Sequence, residues 1–405
     1  MNTKKIIIVN NGILPIPAVK GGAIETLINL LIDENEQKKA FLFEVYSTYD
    51  VKAIKASKKY AYTAFYFVKT NSYINKLRTF FTKCVNFTTL RTKGYYHVFP
   101  LYKKIISNVK KDRNSYAAII LEGAPYNAYE LRKETGLPII QRIHNIPSRT
   151  ATLFNEQSAK ATHLYIGISE FICNNLREIE GKYCNNIELL YNSINFSLFQ
   201  RKINREEEQK LIHKLGFEKN DFIVMFSGRI QEYKGIKQLL EAMILLQNIP
   251  NIKLLVVGSS FFSTSHQTPF EKSLLPLIKQ LDRKVVFTGY IDYEEMYKYY
   301  NIANLCVFPS TWEEPFALTC LEALACSKPV LITKSGGMTE VVNDKCSIII
   351  PNDSNLVKNL SCAIKNIISD RNRLNIMAKE SLKRAEKFSS DNQFEQFSLL
   401  MKKYL

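Results

Sequence analysis

Short apolar runs rich in β-branched residues recur along the chain, without the strict alternation of a sheet that has one wet face. "KKIIIVN" (4–10), "FLFEVYS" (41–47), "YAAIILEG" (116–123), "PIIQRIH" (138–144) and "HLYIGIS" (163–169) are such runs in the first half. Segments with helical spacing follow several of them. In "KGGAIETLINLLI" a glycine turn leads into a helix with Leu27, Leu30 and Leu31 inward. Strands of this kind, separated by helices, predict a parallel sheet covered on both faces.

The rhythm pauses after "IELLYNSINFSLF" at a mixed-charge stretch, "RKINREEEQKLIHKLGF", which reads as a solvated linker helix. It restarts at "DFIVMFSGRI" and continues through "KLLVVGS", "KVVFTGY", "NLCVFPS", "KPVLIT" and "CSIII". The expected fold class is therefore α/β, two doubly wound parallel-sheet domains. Residues 1–195 form the first, 196–220 the linker and 221–385 the second, with 386–405 a helix crossing back to the first. In such sheets ligands bind beyond the carboxyl ends of the strands, and two in tandem make a cleft that suits a small molecule.

Composition and charge narrow the picture. With 405 residues the chain is too long for one ordinary core. Its eight cysteines show no CxxC and no metal-ligand spacing, so reduced thiols in a cytosol are expected. No apolar run is long enough to cross a bilayer, which favours a cytoplasmic protein. The formal net charge of +17 is concentrated: Lys52 to Arg113 holds fifteen Lys or Arg and a single acid, Asp112. That basic stretch, near 52–113, is interleaved with Tyr and Phe and reads as an insertion. Three uses compete for it. Its aromatics could pack inward beneath a solvated surface. It could bind nucleic acid, against which stands the lack of any nucleic-acid module. The reading favoured is attachment to an anionic membrane leaflet, where cations meet headgroups and aromatics enter the interface.

Polar residues collect where strands end. Gly21 and Gly22 follow the first strand, Glu122 and His144 end two others, and Arg229 and Lys234 lie in "SGRIQEYKG". Glu314 follows "CVFPS", and Gly336, Gly337 and Glu340 follow "VLITKS". Each has an ordinary structural reading, and together they line the edge where a ligand would bind. In "TWEEPFALTCLEALACSKPV" (311–330) Pro315 predicts a helix start near 315–317, with the helix running to about Cys326. Thr319 and Glu322, three apart, share a polar line on it. The N–H groups of Phe316, Ala317, Leu318 and Thr319 then make an anion site at the helix start. Taken alone, Glu314 could serve the helix dipole and Glu322 could pair with a buried Lys or Arg.

The string "VFPSTWEEPFALTCLEALACSKPVLITKSGGMTEVV" resembles the signature of retaining glycosyltransferases of the GT-B architecture, family four, in which seven residues separate two Glu. "FSGRIQEYKG", "KGGAIET" and "LLYNSINFSLF" are similar to further segments of that family, in the same order. Ser193 and Asn195 stand where Gly and Asp are common, and 51–113 matches no part of it.

The resemblance implies transfer of a hexose or N-acetylhexosamine from a nucleotide-diphosphate sugar, with a UDP-sugar expected. Arg229 and Lys234 would neutralise the leaving diphosphate, helped by the helix start. Glu322 would hold the ribose, and Glu314 the donor sugar with the backbone of Phe316 and Ala317. Gly21 and Gly22 would let backbone approach the phosphates or acceptor, and His144 would contact the transferring sugar. No cofactor is expected, and without an Asp-x-Asp pair a metal-independent reaction is expected. The acceptor would be a glycan or a lipid-linked glycan of a bacterial surface polysaccharide or glycolipid, met at the inner face of the membrane. Two other readings stay open: a sugar-nucleotide epimerase of the same architecture, and a silent nucleotide-sugar-binding adaptor at the membrane.

Overall fold

A computed structural model of the chain describes residues 4–70, 80, 99–123, 128–147, 153–179, 181–183, 186–259 and 268–405. The chain divides into two compact units, Met1–Ser193 with Ser390–Leu405, and Ile194–Ser389. Each is a doubly wound α/β domain, so the expected fold class is found.

Among the described residues the first unit holds seven strands: β1 (Lys5–Asn10), β2 (Leu42–Thr48), β3 (Thr63–Val68), β4 (Tyr116–Glu122), β5 (Ile139–Ile143), β6 (Thr162–Gly167) and β7 (Ile187–Leu189). They pair in parallel in the order β3-β2-β1-β4-β5-β6-β7. Alternate residues of β1 serve opposite faces, as the pleat demands. Ile6 and Ile8 pack with Ile28, Leu31 and Ile32 of helix Ala23–Lys38, and with Phe394, Phe397 and Met401 of the C-terminal helix Ser390–Tyr404. Ile7 and Val9 pack with Leu101, Tyr102, Ile105 and Val109 of helix Phe99–Lys111. Both faces are dry, which is why the strand carries no polar alternation.

The basic stretch therefore contributes regular structure to the first unit. Helix Val51–Ser57, β3 and helix Phe99–Lys111 all fall within or at the edge of 52–113. Tyr66 of β3 stacks on Tyr46 of β2 with ring centroids 4.8 Å apart, a cross-strand pair of the kind that stabilises sheets. Residues 71–79 and 81–98 of that stretch lie outside the described residues.

The C-terminal helix is tied to the first unit by polar contacts as well. Ser390 Oγ donates to Glu34 at 2.6 Å, Ser193 Oγ to Gln393 at 2.9 Å, and Tyr404 Oη to Glu188 at 2.7 Å.

The second unit holds β8 (Phe222–Ser227), β9 (Ile252–Val257), β10 (Val285–Phe287), β11 (Leu305–Phe308), β12 (Val330–Thr333) and β13 (Ser347–Ile350). They pair in parallel in the order β10-β9-β8-β11-β12-β13. The segment read as a linker belongs to this unit. It folds as helices Phe196–Phe199 and Arg205–Lys214, the second opened by a capping box between Asn204 and Glu207. Phe199 is fully buried, edge-on to Tyr293 and Tyr300. Asn195 accepts the Leu198 N–H at 3.1 Å, so it caps the first of these helices with the carboxamide as an Asp would with a carboxylate.

Strand order reverses between β1 and β4 in the first unit and between β8 and β11 in the second. Such switch points open a crevice at the carboxyl ends of the strands. Among the described residues no helix is long and apolar enough to cross a membrane.

Candidate functional site

In the second unit, β8 ends at Ser227 and the chain turns through Gly228 to Arg229, whose side chain is exposed. A short 3-10 turn, Glu232–Lys234, then ends at Gly235. Gly235 has φ of 73°, and a Cβ there would collide with the carbonyl oxygen of Pro309, just beyond β11. Glycine is required for the turn to sit against that strand end. The consequence is the placement of Lys234. Its Nζ donates to Glu314 Oε1 at 2.6 Å and lies over the rings of Tyr233 and Trp312, 5.7 and 5.8 Å from their centroids. Those two rings pack together at 4.9 Å, so the ammonium is held by an aromatic pair as well as by a carboxylate.

Glu314 is buried, and its Oε1 also accepts from Ser310 Oγ at 2.5 Å. Its N–H donates to Ser335 Oγ at 3.2 Å, and its carbonyl accepts from the Gly337 N–H at 2.7 Å. Ser335 Oγ in turn donates to the carbonyl of Trp312. The loop after β12 thus grips the Trp312–Glu314 backbone. Among the described residues Oε2 of Glu314 has no protein partner, which leaves one carboxylate oxygen for a ligand.

This grip also explains where the following helix begins. The helix starts one residue beyond the expected 315–317. The helix is Leu318–Ala325, with Ala317 at the N-cap position and no side-chain cap. Glu314 spends its backbone groups on the neighbouring loop, and the turn through Pro315 and Phe316 stays outside the helix. Phe316 is buried, its ring edge-on to Phe388 at 5.9 Å. Leu318 and Thr319, half-buried, supply the first helical N–H groups. The anion site read at this start is therefore narrower than the sequence suggests.

Glu322 is buried on this helix, and its partner is neither Lys nor Arg. Tyr300 Oη donates to Glu322 Oε2 at 2.9 Å. The same hydroxyl lies 3.2 Å from the Thr319 carbonyl and 2.7 Å from Ser227 Oγ. Thr319 and Glu322 do share one line of the helix, joined by Tyr300. Burial pushes the Glu322 carboxyl up to about 8, with the Tyr300 hydrogen bond opposing it.

In the first unit, Gly21 and Gly22 lie between β1 and helix Ala23–Lys38, both at positive φ. The space in front of Gly22 is taken by protein: a Cβ there would collide with Glu25 Oε2. Glu25 is buried, accepts from Asn10 Nδ2 at 2.7 Å, and is raised in pKa by burial. The carboxyl thus occupies part of the space in front of the glycine loop.

Glu122 closes β4 and His144 follows β5, with His144 Nε2 2.7 Å from Glu122 Oε2. Arg142 lies 3.7 Å from the other Glu122 oxygen and donates to Asn192 Oδ1 at 3.1 Å. All three are buried. Burial works to raise the Glu122 carboxyl, but Arg142 and His144 outweigh it and hold it below the usual range. Burial lowers His144 against the pull of Glu122, which favours the neutral imidazole.

The residues read from sequence fall into two groups. Arg229, Lys234, Glu314, Phe316, Ala317, Leu318, Thr319 and Glu322 lie on the second unit, and Gly21, Gly22 and His144 on the first. The residues missed are Ser227, Tyr300, Ser310 and Ser335 in the one, and Asn10, Glu25 and Arg142 in the other. Glu25 had a signal, an acid three residues past a glycine pair. Tyr300 had none, since it joins Glu322 only through the packing of the helix Met296–Ile302.

Residues 207–384 match the family model described as glycosyl transferases group 1. The chain is 30% identical over 205 residues to a lipopolysaccharide 1,2-N-acetylglucosaminetransferase of Salmonella typhimurium, covering 49% of this chain and 53% of that protein. It spans about half the length of the curated relatives it matches. Among solved structures, a glycosyltransferase from Rickettsia africae superposes with a TM-score of 0.76 at 18% identity, over 100% of this chain and 99% of that one. Anabaena HepE in complex with UDP-glucose gives 0.73 at 20% identity, over 98% and 99%. At such identities these likenesses speak to the fold, which they share over the whole chain. Residues 207–384 thus resemble glycosyl transferases group 1, within a chain of GT-B fold.

Proposed function

We propose that the chain is a retaining glycosyltransferase of family four. It moves a hexose or N-acetylhexosamine from a nucleotide-diphosphate sugar, with UDP as the nucleotide, to a glycan or lipid-linked acceptor. The observation that carries this reading is the Glu314 carboxylate, fixed through Oε1 by Lys234 and Ser310 with Oε2 left over, eight residues from the buried Glu322. The family match over 207–384 covers all of these residues, and the relatives' names and the nucleotide bound to Anabaena HepE support the choice of chemistry and of UDP.

The roles are those the family resemblance implies, set on the geometry of this site. As the bond from the anomeric carbon to the diphosphate breaks, negative charge grows on the leaving oxygens. Arg229, exposed and without an acidic partner among the described residues, meets that charge first. Lys234 shares its ammonium between the phosphate and Glu314. Glu314 Oε2 accepts from a hydroxyl of the donor sugar, and Glu322 accepts from the ribose. The acceptor oxygen attacks the face the diphosphate leaves, and its proton passes to a leaving phosphate oxygen. Glu314 is then a binding group and not a nucleophile. In the first unit, neutral His144 donates from Nε2 to Glu122, which leaves Nδ1 as an acceptor. No step needs a metal ion or a cofactor.

We further propose that the enzyme works at an anionic membrane surface. The outer face of helix Phe99–Lys111 supports this, since Lys103, Lys104 and Lys111 are exposed there while Leu101, Tyr102, Ile105 and Val109 are buried.

Incubation with a panel of sugar nucleotides, without acceptor, tests the core of the reading. Slow release of UDP from one of them is expected. Binding without turnover, even with lipid-linked acceptors added, would favour the adaptor. Interconversion of sugar nucleotides would favour the epimerase.

A further inference from the structure

We infer that Ser227 and Tyr300 form a hydroxyl relay that positions the Glu322 carboxylate for the ribose of the donor nucleotide. The inference rests on the reading of the second unit as the donor-nucleotide domain.

Tyr300 stands on the helix Met296–Ile302, fully buried, with its ring edge-on to Phe199 at 6.0 Å. Its hydroxyl has three oxygen neighbours: Glu322 Oε2 at 2.9 Å, the Thr319 carbonyl at 3.2 Å and Ser227 Oγ at 2.7 Å. A phenol has one hydrogen to give. The carbonyl can only accept, and so can an ionised carboxylate, which is the stronger acceptor. With Glu322 ionised the hydrogen goes to Oε2, and Ser227 must donate to the Tyr300 oxygen. The relay then runs from Ser227 through Tyr300 to Glu322. With Glu322 neutral, the same hydrogen can turn to the Thr319 carbonyl at the start of the same helix.

What makes the relay matter is the company Glu322 keeps. No Lys, Arg or His pairs with it among the described residues. The titratable groups that face it are Tyr300 from its own helix, Tyr293 from the turn before that helix, and Cys326 just past the end of the Glu322 helix. All three are pushed up by burial and are uncharged near neutral pH. Tyr300 is thus the only side chain among the described residues that donates to the carboxyl, and it reaches Oε2. Oε1 has no protein partner among the described residues and is left to the ligand. Ser227 also closes β8, two residues before Arg229. The relay therefore ties the strand end that presents the diphosphate-binding guanidinium to the carboxylate that holds the ribose. Tyr300 and Ser227 are positioning residues, since neither touches the reacting atoms.

Calorimetry on the full chain tests this with two probes, UDP and 2′,3′-dideoxy-UDP, from about pH 6 to about pH 9. Tyr300→Phe keeps the buried ring and removes the donor. It is expected to weaken UDP about tenfold and the dideoxy analogue less than about twofold. Removing the donor also shifts the rise of UDP affinity with pH to higher pH, because the hydrogen bond favours the ionised carboxyl. Ser227→Ala is expected to act in the same direction by about threefold, and Ser227→Thr, which keeps the hydroxyl, to restore wild-type binding. Equal losses for the two nucleotides, or an unmoved pH profile, would reduce Tyr300 to a packing residue and overturn the relay. Wild-type binding with unaltered variants would overturn the relay alone. Absence of UDP binding by the wild-type chain would overturn the donor reading and the relay with it.

Discussion

Lys234 and Glu314 form a half-shielded ion pair, Nζ to Oε1 at 2.6 Å, inside the loop cluster at the carboxyl edge of the second sheet. Desolvation offsets most of what such a pair contributes to stability, so its value lies in geometry. It leaves the other Glu314 oxygen without a protein partner among the described residues and engages the Lys234 ammonium. Under the proposed function, Arg229 is then the stronger diphosphate partner of the two cations.

The first prediction concerns Glu314. Glu314→Ala removes the oxygen proposed to hold the donor sugar and releases Lys234 from its partner. Transfer is expected to be abolished while UDP affinity holds or rises, because the freed ammonium can turn to the diphosphate. A product assay beside UDP calorimetry checks this. Parallel loss of transfer and of nucleotide binding would refute the role given to Glu314.

The second concerns Glu322 and pH. Its carboxyl is raised from 4.5 to about 8 by burial, so in the folded chain it stays protonated where the unfolded chain has already lost the proton. Between these values the native state binds more protons than the unfolded state, and stability falls as pH rises. The slope from this group is at most one proton, about 1.4 kcal/mol per pH unit. Glu322→Gln removes it. The melting temperature of the variant relative to wild type is therefore expected to climb from about pH 5 to about pH 8. A constant difference across that range would refute the assignment.

The third concerns the first unit. Glu122 is the acid that Arg142 and His144 share, at 3.7 and 2.7 Å. Glu122→Ala strands a buried guanidinium, a change that costs about 3–5 kcal/mol. Urea unfolding is expected to show a loss of that order, while Glu122→Gln, which keeps an acceptor for His144, loses less. The pH dependence has a definite sign. The Glu122 carboxyl is held low, so its contribution is present above the unfolded carboxylate range and is lost as pH falls through the folded value. The lowered His144 works the same way, because below the unfolded histidine pKa the unfolded chain takes up a proton that the native chain resists. The Glu122 part of this acid sensitivity, lost below the unfolded carboxylate range, is therefore expected to be missing from Glu122→Ala.

The fourth tests the membrane proposal. Each Lys near an anionic leaflet contributes about 1 kcal/mol. Replacing Lys103, Lys104 and Lys111 by Gln leaves the buried face of helix Phe99–Lys111 untouched. It is expected to reduce flotation with anionic liposomes strongly without changing the fold. Equal indifference of the wild-type chain to anionic and neutral liposomes would point to a soluble acceptor.

The strands were legible because each is buried on both faces, and a run such as "KKIIIVN" has no other economical structure. β3 was hidden because its "TAFYFV" sits among lysines, and charge drew the eye away from the pairing with β2. The carboxylates and cations of the second unit were legible from where they fall after strands. Their supports were not. Ser310, Ser335 and Tyr300 are ordinary residues until the loops after β11 and β12 fold against each other, and Ser227 matters only through a hydroxyl 73 residues away in sequence. The glycine pair misled in the opposite way. Gly21 and Gly22 read as room for a ligand's phosphate, and part of that room is held by Glu25.

The last prediction is about a glycine whose side is not open. Gly235 sits at φ of 73°, a conformation unfavourable to any residue with a Cβ. Nor can a Cβ be accommodated in place, since it would collide with the Pro309 carbonyl, on the backbone just beyond β11. The turn must then move away from the strand end and take Lys234 with it, out of reach of Glu314 and off the rings of Tyr233 and Trp312. Gly235→Ala is expected to destabilise the second unit by more than about 1 kcal/mol, and to cut transfer more severely than Lys234→Ala, because it misplaces the ammonium and uncovers Glu314 together. Thermal unfolding and the product assay on the two variants separate the effects. Wild-type stability and transfer in Gly235→Ala would mean that the turn has room to move, and that the placement of Lys234 does not depend on it.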